Sequence, residues 1–249
     1  MISLKSLQEI SVMREGGRKL AQVMAQLISL VRPGIPTREL DRAARALILD
    51  SGGELAFEGY DGFPGAICTS INEEVVHSVP SSRVLKEGDI VTLDIGLTWQ
   101  GWFLDMARTV PVGNIDKATM RLCKVTQESL DIGMKKAKAG NKVGGIGYAV
   151  QQFVEKNGYN VVRELCGHGI GKNLHEDPKV LNYGERDTGL VLKEGMVICI
   201  EPMVTVGDWK LKRSKDGHGF ETKDGSLSCH FEDTVAITSS GPQVLTRSE

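Results

Sequence analysis

The sequence predicts an α+β fold in which two similar halves share one curved, mostly antiparallel sheet. Three observations carry this expectation. VLKEGDIVTLD at residues 84 to 94 is answered by VLKEGMVICIE at residues 191 to 201: five identities in a row, then an apolar stretch that ends on a carboxylate, Asp94 or Glu201. Upstream of each copy, at nearly the same distance, lies a two-helix pattern, and after each helix pair come runs rich in β-branched residues.

In the first half, residues 20 to 53 read as a helix, a Pro-Gly turn, an N-cap at Thr37 with Glu39 and Asp41 in the first turn, and a second helix. In the second half, residues 129 to 158 read as a helix, a turn around Gly140 and Asn141, and a helix closed by Asn157 and Gly158. The strand candidates are Ile90 to Ile95, Ala107 to Val112, Val197 to Ile200 and Thr234 to Thr238. The expectation is therefore a single catalytic domain over 1–249, with pseudo-repeat halves at about 1–120 and 121–249.

The bulk numbers exclude several classes. A net charge of -2 leaves no electrostatic footprint for nucleic acid. Charged residues at Lys5, Glu9, Arg14 and Glu15 interrupt the N-terminal stretch, so neither a signal peptide nor a membrane span is expected there, and a cytoplasmic location follows. Five cysteines without a CxxC spacing argue against a disulfide framework and a structural zinc site. Cys199, in an apolar run, reads as core.

The chemistry concentrates on carboxylates. Asp94 and Asp105 flank LTWQGW, which reads as a β-hairpin loop with Gly101 as a turn residue. A loop of even length places both on one face, and a turn centred between Trp99 and Gln100 sets them directly opposite each other. Like charges so placed repel, so either a cation sits between them or one carboxyl keeps its proton. Two histidines in eight residues of the glycine-rich LCGHGIGKNLHEDP, His168 and His175, favour a cation. Asp94, Asp105, Glu201 and Glu232 with His168 form a set of hard oxygens and one imidazole, and four carboxylates balance two divalent ions.

At these residues the sequence resembles the type I methionine aminopeptidases, metallopeptidases of the pita-bread fold. VTLDIG with Asp94, the step to Asp105, GHGIGKNLHEDP, IEPM with Glu201 and HFEDT with Glu232 carry the resemblance, which covers essentially the whole chain. It implies removal of the initiator methionine from peptides and nascent chains whose second residue is small. It also implies a pair of divalent ions, drawn from cobalt, manganese, iron, zinc and nickel. Asp94 would bind one ion, Asp105 and Glu232 would bridge both, and His168 and Glu201 would bind the other. By the same resemblance, Glu201 would shuttle a proton, His77 and His175 would meet the substrate and the tetrahedral intermediate, and Tyr60, Phe63 and Cys68 would line the methionine pocket. Asn72 and Ser228 would stand near a monovalent-cation site. A monomer and a transient ribosome encounter are further implications.

Three residues depart from the family pattern. Ser78 stands where glycine commonly follows the histidine, Asp233 stands where a histidine usually follows the bridging glutamate, and His218 falls where many members carry a pocket tryptophan. The first two put the support behind the ligands in question, and the third the polarity of the pocket. Two other readings are open: a proline-directed peptidase of the prolidase or aminopeptidase P kind, which shares the fold and ligand pattern, and a pita-bread module that binds without catalysis.

Overall fold

The computed structural model describes residues 2–247. Helix α1 (Leu7–Leu30) begins where Ser6 and Glu9 satisfy each other's backbone amides: Ser6 Oγ accepts from Glu9 N at 3.3 Å and Glu9 Oε2 accepts from Ser6 N at 2.8 Å. Helix α2 (Thr37–Asp50) departs from expectation at its start. Pro36 takes the cap position and Thr37 is already helical; its hydroxyl accepts from Ser81 N at 2.8 Å and donates to Ser81 O at 3.2 Å, tying α2 to a distant loop. Helix α3 (Lys117–Lys136) is capped by Asp116, which accepts from Thr119 N at 2.8 Å. Helix α4 (Gly144–Lys156) ends at Asn157, with Gly158 at φ 85 as the sequence predicts. No described helix is long and apolar enough to cross a membrane, and all five cysteines are free.

The repeated phrase is a repeated piece of structure. Pro36, between α1 and α2, bridges to Val84 at the start of the first copy, and Lys142, between α3 and α4, bridges to Val191 at the start of the second. Gly34 N donates to Leu85 O at 2.8 Å, and Gly140 N donates to Leu192 O at 2.9 Å. Gly34 and Gly140 lie at φ 88 and 86, a conformation that glycine adopts without steric cost.

Among the described residues, nine strands form one sheet fed by both halves, and all its ladders are antiparallel. Along its path run Glu54–Leu55, Ile90–Trp99, Trp102–Pro111, Glu232–Thr238, Val197–Ile200, Gly167–Gly169 and Glu176–Val180, with Ile67–Ile71 added to Ile90–Trp99 and Gly241–Val244 to Glu232–Thr238. The first half meets the second where Trp102–Pro111 pairs with Glu232–Thr238.

The hairpin turns at Gln100 and Gly101, φ 50 and 74, the pair of positive values that a two-residue turn needs to follow the strand twist. The loop length is even, so Asp94 and Asp105 share a face. The turn lies one residue beyond the centre that would oppose them, however, so Asp94 faces Ala107 and Asp105 faces Gly96, which makes the two carboxylates diagonal neighbours. Cys68 pairs with Asp94, Asp94 with Ala107 and Ala107 with Glu232, so one row across four strands reads cysteine, carboxylate, methyl, carboxylate.

On the opposite face, Ile95, Leu97, Leu104 and Met106 are buried with Met13, Leu20 and Leu27 of α1 in one core cluster, and α3 and α4 cover a second cluster. The approach of α1 is close. A Cβ at Gly16 would lie 2.7 Å from Trp99 Cβ, and one at Gly17 would overlap the Leu245 carbonyl oxygen. Gly17→Ala therefore lowers stability by about 1 to 3 kcal/mol, because the obstacle is backbone. A denaturant midpoint at or above that of the parent chain would contradict this.

Candidate metal centre

The sheet row and its neighbours deliver the carboxylates to one place. Oxygens of Asp94, Asp105 and Glu232 lie within 4.8 Å of one another, as do donor atoms of Glu201, His230 and Glu232. Glu201 directly follows the Val197–Ile200 strand, whose last residue pairs with Asp233; this brings Glu201 level with Glu232. His168 sits on the short Gly167–Gly169 strand. Its Nδ1 hydrogen bonds to Gly169 O at 2.9 Å, the tautomer in which Nδ1 carries the proton. Nε2 is then a lone pair 3.8 Å from Glu201 Oε1 and 3.8 Å from Glu232 Oε1.

These groups are buried, and their protonation reflects it. Burial first, then Glu232, Asp94 and Glu201, holds the Asp105 carboxyl well above the usual range. Glu232 is raised by burial and by Glu201 and Asp94, and Glu201 by burial and by Asp94. Burial lifts Asp94 to about 6, with His230 pulling the other way. His168 is pushed down to about 3 by burial and by His175, so its ring stays neutral. Among the described residues, Asp94 Oδ1, Asp105 Oδ1 and Glu232 Oε1 are buried without a hydrogen-bond partner. Buried oxygens aimed at one another beside a neutral imidazole lone pair are the donor set of a divalent-cation site.

Around this cluster opens a cavity of about 470 Å³. Its lining includes all five predicted ligands together with His77, His175, Tyr60, Phe63, Cys68 and His218. Tyr60 Oη and His175 Nδ1 lie 2.8 Å apart; with the hydroxyl donating, the ring keeps its proton on Nε2. The His175 and His168 rings meet edge to face with centroids 4.4 Å apart. Behind His175, Glu176 accepts from Lys172 N at 2.7 Å and Asn173 N at 3.1 Å through Oε1, while Oε2 pairs with the buried Lys5 ammonium at 2.8 Å. His77 stands at φ 59, outside the conformations an imidazole residue commonly adopts, which places it where strained backbone marks functional sites.

The three departures each have a local explanation or a local contact. Asp233 points away from Glu232, on the other face of its strand, and is fully buried, yet it accepts from Arg108 Nη2 and Arg247 Nε, each at 2.7 Å, and from Thr246 Oγ1 at 2.9 Å. Arg108 also donates to Glu232 O at 2.6 Å, so this carboxylate and its arginine brace the strand behind the cluster. His218 stacks edge to face on Phe63, centroids 5.6 Å apart, and so keeps an aromatic ring at the pocket wall. Ser78 is buried beside Gly219, its hydroxyl without a partner among the described residues. Asn72 and Ser228 are neighbours: Ser228 Oγ donates at 3.2 Å to Asn72 O and at 3.0 Å to Glu74 O, which gathers main-chain oxygens at one point.

His230 was not among the residues expected in the site. Its ring nitrogen Nε2 lies 3.4 Å from Glu201 Oε2. The signal was present in SCHFEDT: His230 stands two residues before Glu232, the spacing that puts two side chains on one face of an extended chain.

A divalent ion entering this cluster must displace protons from carboxyls whose pKa values are raised. Since burial holds Asp94 at about 6, affinity for cobalt or manganese falls as the pH drops through that value, and loading there releases protons. Calorimetric titration in two buffers of different ionisation enthalpy measures the release. Uptake that is independent of both pH and buffer would contradict it.

The sequence pattern of metallopeptidase family M24 matches residues 11–239. Methionine aminopeptidase 1 of Bacillus subtilis is 46% identical over 247 residues, 99% of this chain and 100% of that protein. A methionine aminopeptidase of Clostridium perfringens is 46% identical over 246 residues, 99% of each chain. The crystal structure of methionine aminopeptidase from Thermotoga maritima matches with a TM-score of 0.97 at 40% identity over 100% of both chains. Residues, fold and relatives converge: the chain belongs to metallopeptidase family M24 and, within it, to the methionine aminopeptidases.

Proposed function

We propose that the chain removes the N-terminal methionine from peptides and nascent proteins whose second residue is small, using two divalent ions held by Asp94, Asp105, His168, Glu201 and Glu232. The observation that carries this reading is a cavity that joins a buried carboxylate cluster to a wall of Tyr60, Phe63, Cys68 and His218. When bound, the ions lower the pKa of a water toward about 7 and polarise the scissile carbonyl.

The chain's own residues supply the rest. The methionine side chain packs against Phe63, Tyr60 and Cys68, which excludes water from one side of the peptide bond. Glu201, at the cavity wall beside the carboxylate cluster, takes up the proton lost by the attacking water and passes it to the leaving amine. His175, held by Tyr60, and His77 at the rim donate to the oxygen on which charge develops. Asn72 and Ser228, where the Asn72 and Glu74 carbonyl oxygens gather, would stand near a monovalent cation. The same reading makes 1–249 one catalytic domain, monomeric and cytoplasmic, that meets its substrates transiently at the ribosome; the continuous sheet drawn from both halves supports the single domain.

Stripped of metal and then given cobalt, manganese, iron, zinc or nickel without oxygen, the protein should cleave Met-Ala-Ser and leave Met-Lys-Ser intact. Preferential cleavage of Xaa-Pro peptides would replace this reading with a proline-directed one, and stoichiometric metal binding without cleavage would leave a binding module. His175→Ala is expected to lower kcat by about 10²- to 10³-fold with metal content unchanged. Parallel loss of metal and turnover would make His175 structural instead.

A further inference from the structure

The metal reading uses one imidazole, yet two converge on the same carboxylates. His168 approaches Glu201 Oε1, and His230 approaches the other oxygen, Oε2, at 3.4 Å. His230 is 1% exposed, and neither of its ring nitrogens has a hydrogen-bond partner among the described residues. A buried imidazole with both nitrogens idle is an unusual thing for a folded chain to keep. The strand that carries it is well determined by its neighbours: its amide donates to Thr109 Oγ1 at 3.0 Å, its carbonyl accepts from the same hydroxyl at 2.8 Å, and it pairs with Met203. The ring is therefore aimed by a fixed backbone.

The separation from Glu201 discriminates between two uses. As a hydrogen bond, 3.4 Å is long. Two donors that each lie about 2.1 Å from a shared ion are separated by about 3.0 to 3.4 Å in octahedral or tetrahedral geometry. Donor atoms of Glu201, His230 and Glu232 fall within 4.8 Å of one another, so an ion held by both glutamates is within reach of this ring.

We propose that His230 Nε2 is a sixth protein donor to the metal pair, bound to the ion that Glu201 and Glu232 hold, on the side away from the peptide pocket. The proposal rests on the metal reading above. It makes the centre four carboxylates and two imidazoles, a set that shifts preference from manganese toward iron, cobalt, nickel and zinc.

Proton NMR of the cobalt(II)-loaded full chain tests it, because each coordinated imidazole gives one strongly shifted, solvent-exchangeable N–H resonance. Two such resonances are expected in the parent protein and one in His230→Gln, with cobalt affinity at one site weakened roughly 10- to 100-fold in calorimetry. A single resonance in the parent, unchanged in the variant, would overturn the sixth donor while leaving the metal pair standing. No shifted imidazole and no stoichiometric cobalt binding would overturn both. Should the variant fail to fold, the count in the parent protein decides alone.

Discussion

Mutual repulsion among carboxylates buried on one face of one sheet is the constraint around which this chain is organised. Asp94, Asp105, Glu201 and Glu232 cannot all be ionised in a dry pocket without a cation, and their raised pKa values express that conflict. A protein that only had to be stable would fill these positions with apolar side chains. Keeping four acids here requires a frame that cannot relax away from them. Strand pairing on both sides, the helices packed beneath, and the Arg108 link between Asp233 and the Glu232 carbonyl provide that frame.

The pseudo-symmetry serves the same end. Each half brings a helix pair, a glycine turn and a copy of VLKEG that opens a central strand, and each central strand delivers one carboxylate, Asp94 or Glu201. The carboxylate cluster is shared across the joint where Trp102–Pro111 meets Glu232–Thr238, so it exists only when the halves are docked. An ion bound at that cluster would therefore also favour the docked halves.

Much of this could be read from the chain because its strongest signals are local. The repeat, the helix pairs and the strand runs are patterns of neighbouring residues, and the structure keeps them. The comparisons bear out the fold class and the family. Other features depended on one-residue geometry or on distant partners. The hairpin register was open until Gln100 and Gly101 were both found at positive φ, since a glycine alone does not say which residue precedes it in the turn. Thr37 looks like a cap because threonine often is one, but its hydroxyl is taken by Ser81, more than forty residues away. His230 could have been found by strand parity with Glu232, but a histidine in a presumed loop also reads as an ordinary solvated residue. Asp233 could not be judged from the sequence at all: its two arginines come from Arg108 and Arg247.

Lys5 makes the beginning of the chain part of the machinery at the far side of the cavity. Its amide donates to Gly195 O at 2.7 Å, inside the second copy of the repeated phrase, and its ammonium reaches Glu176, which braces the loop that bears His175. One residue thus works as a keystone between the arch of the second half and the loop that carries His175 at the cavity wall. Removing the Lys5 ammonium would therefore loosen Glu176, and with it the loop that carries His175, from a point that does not line the cavity.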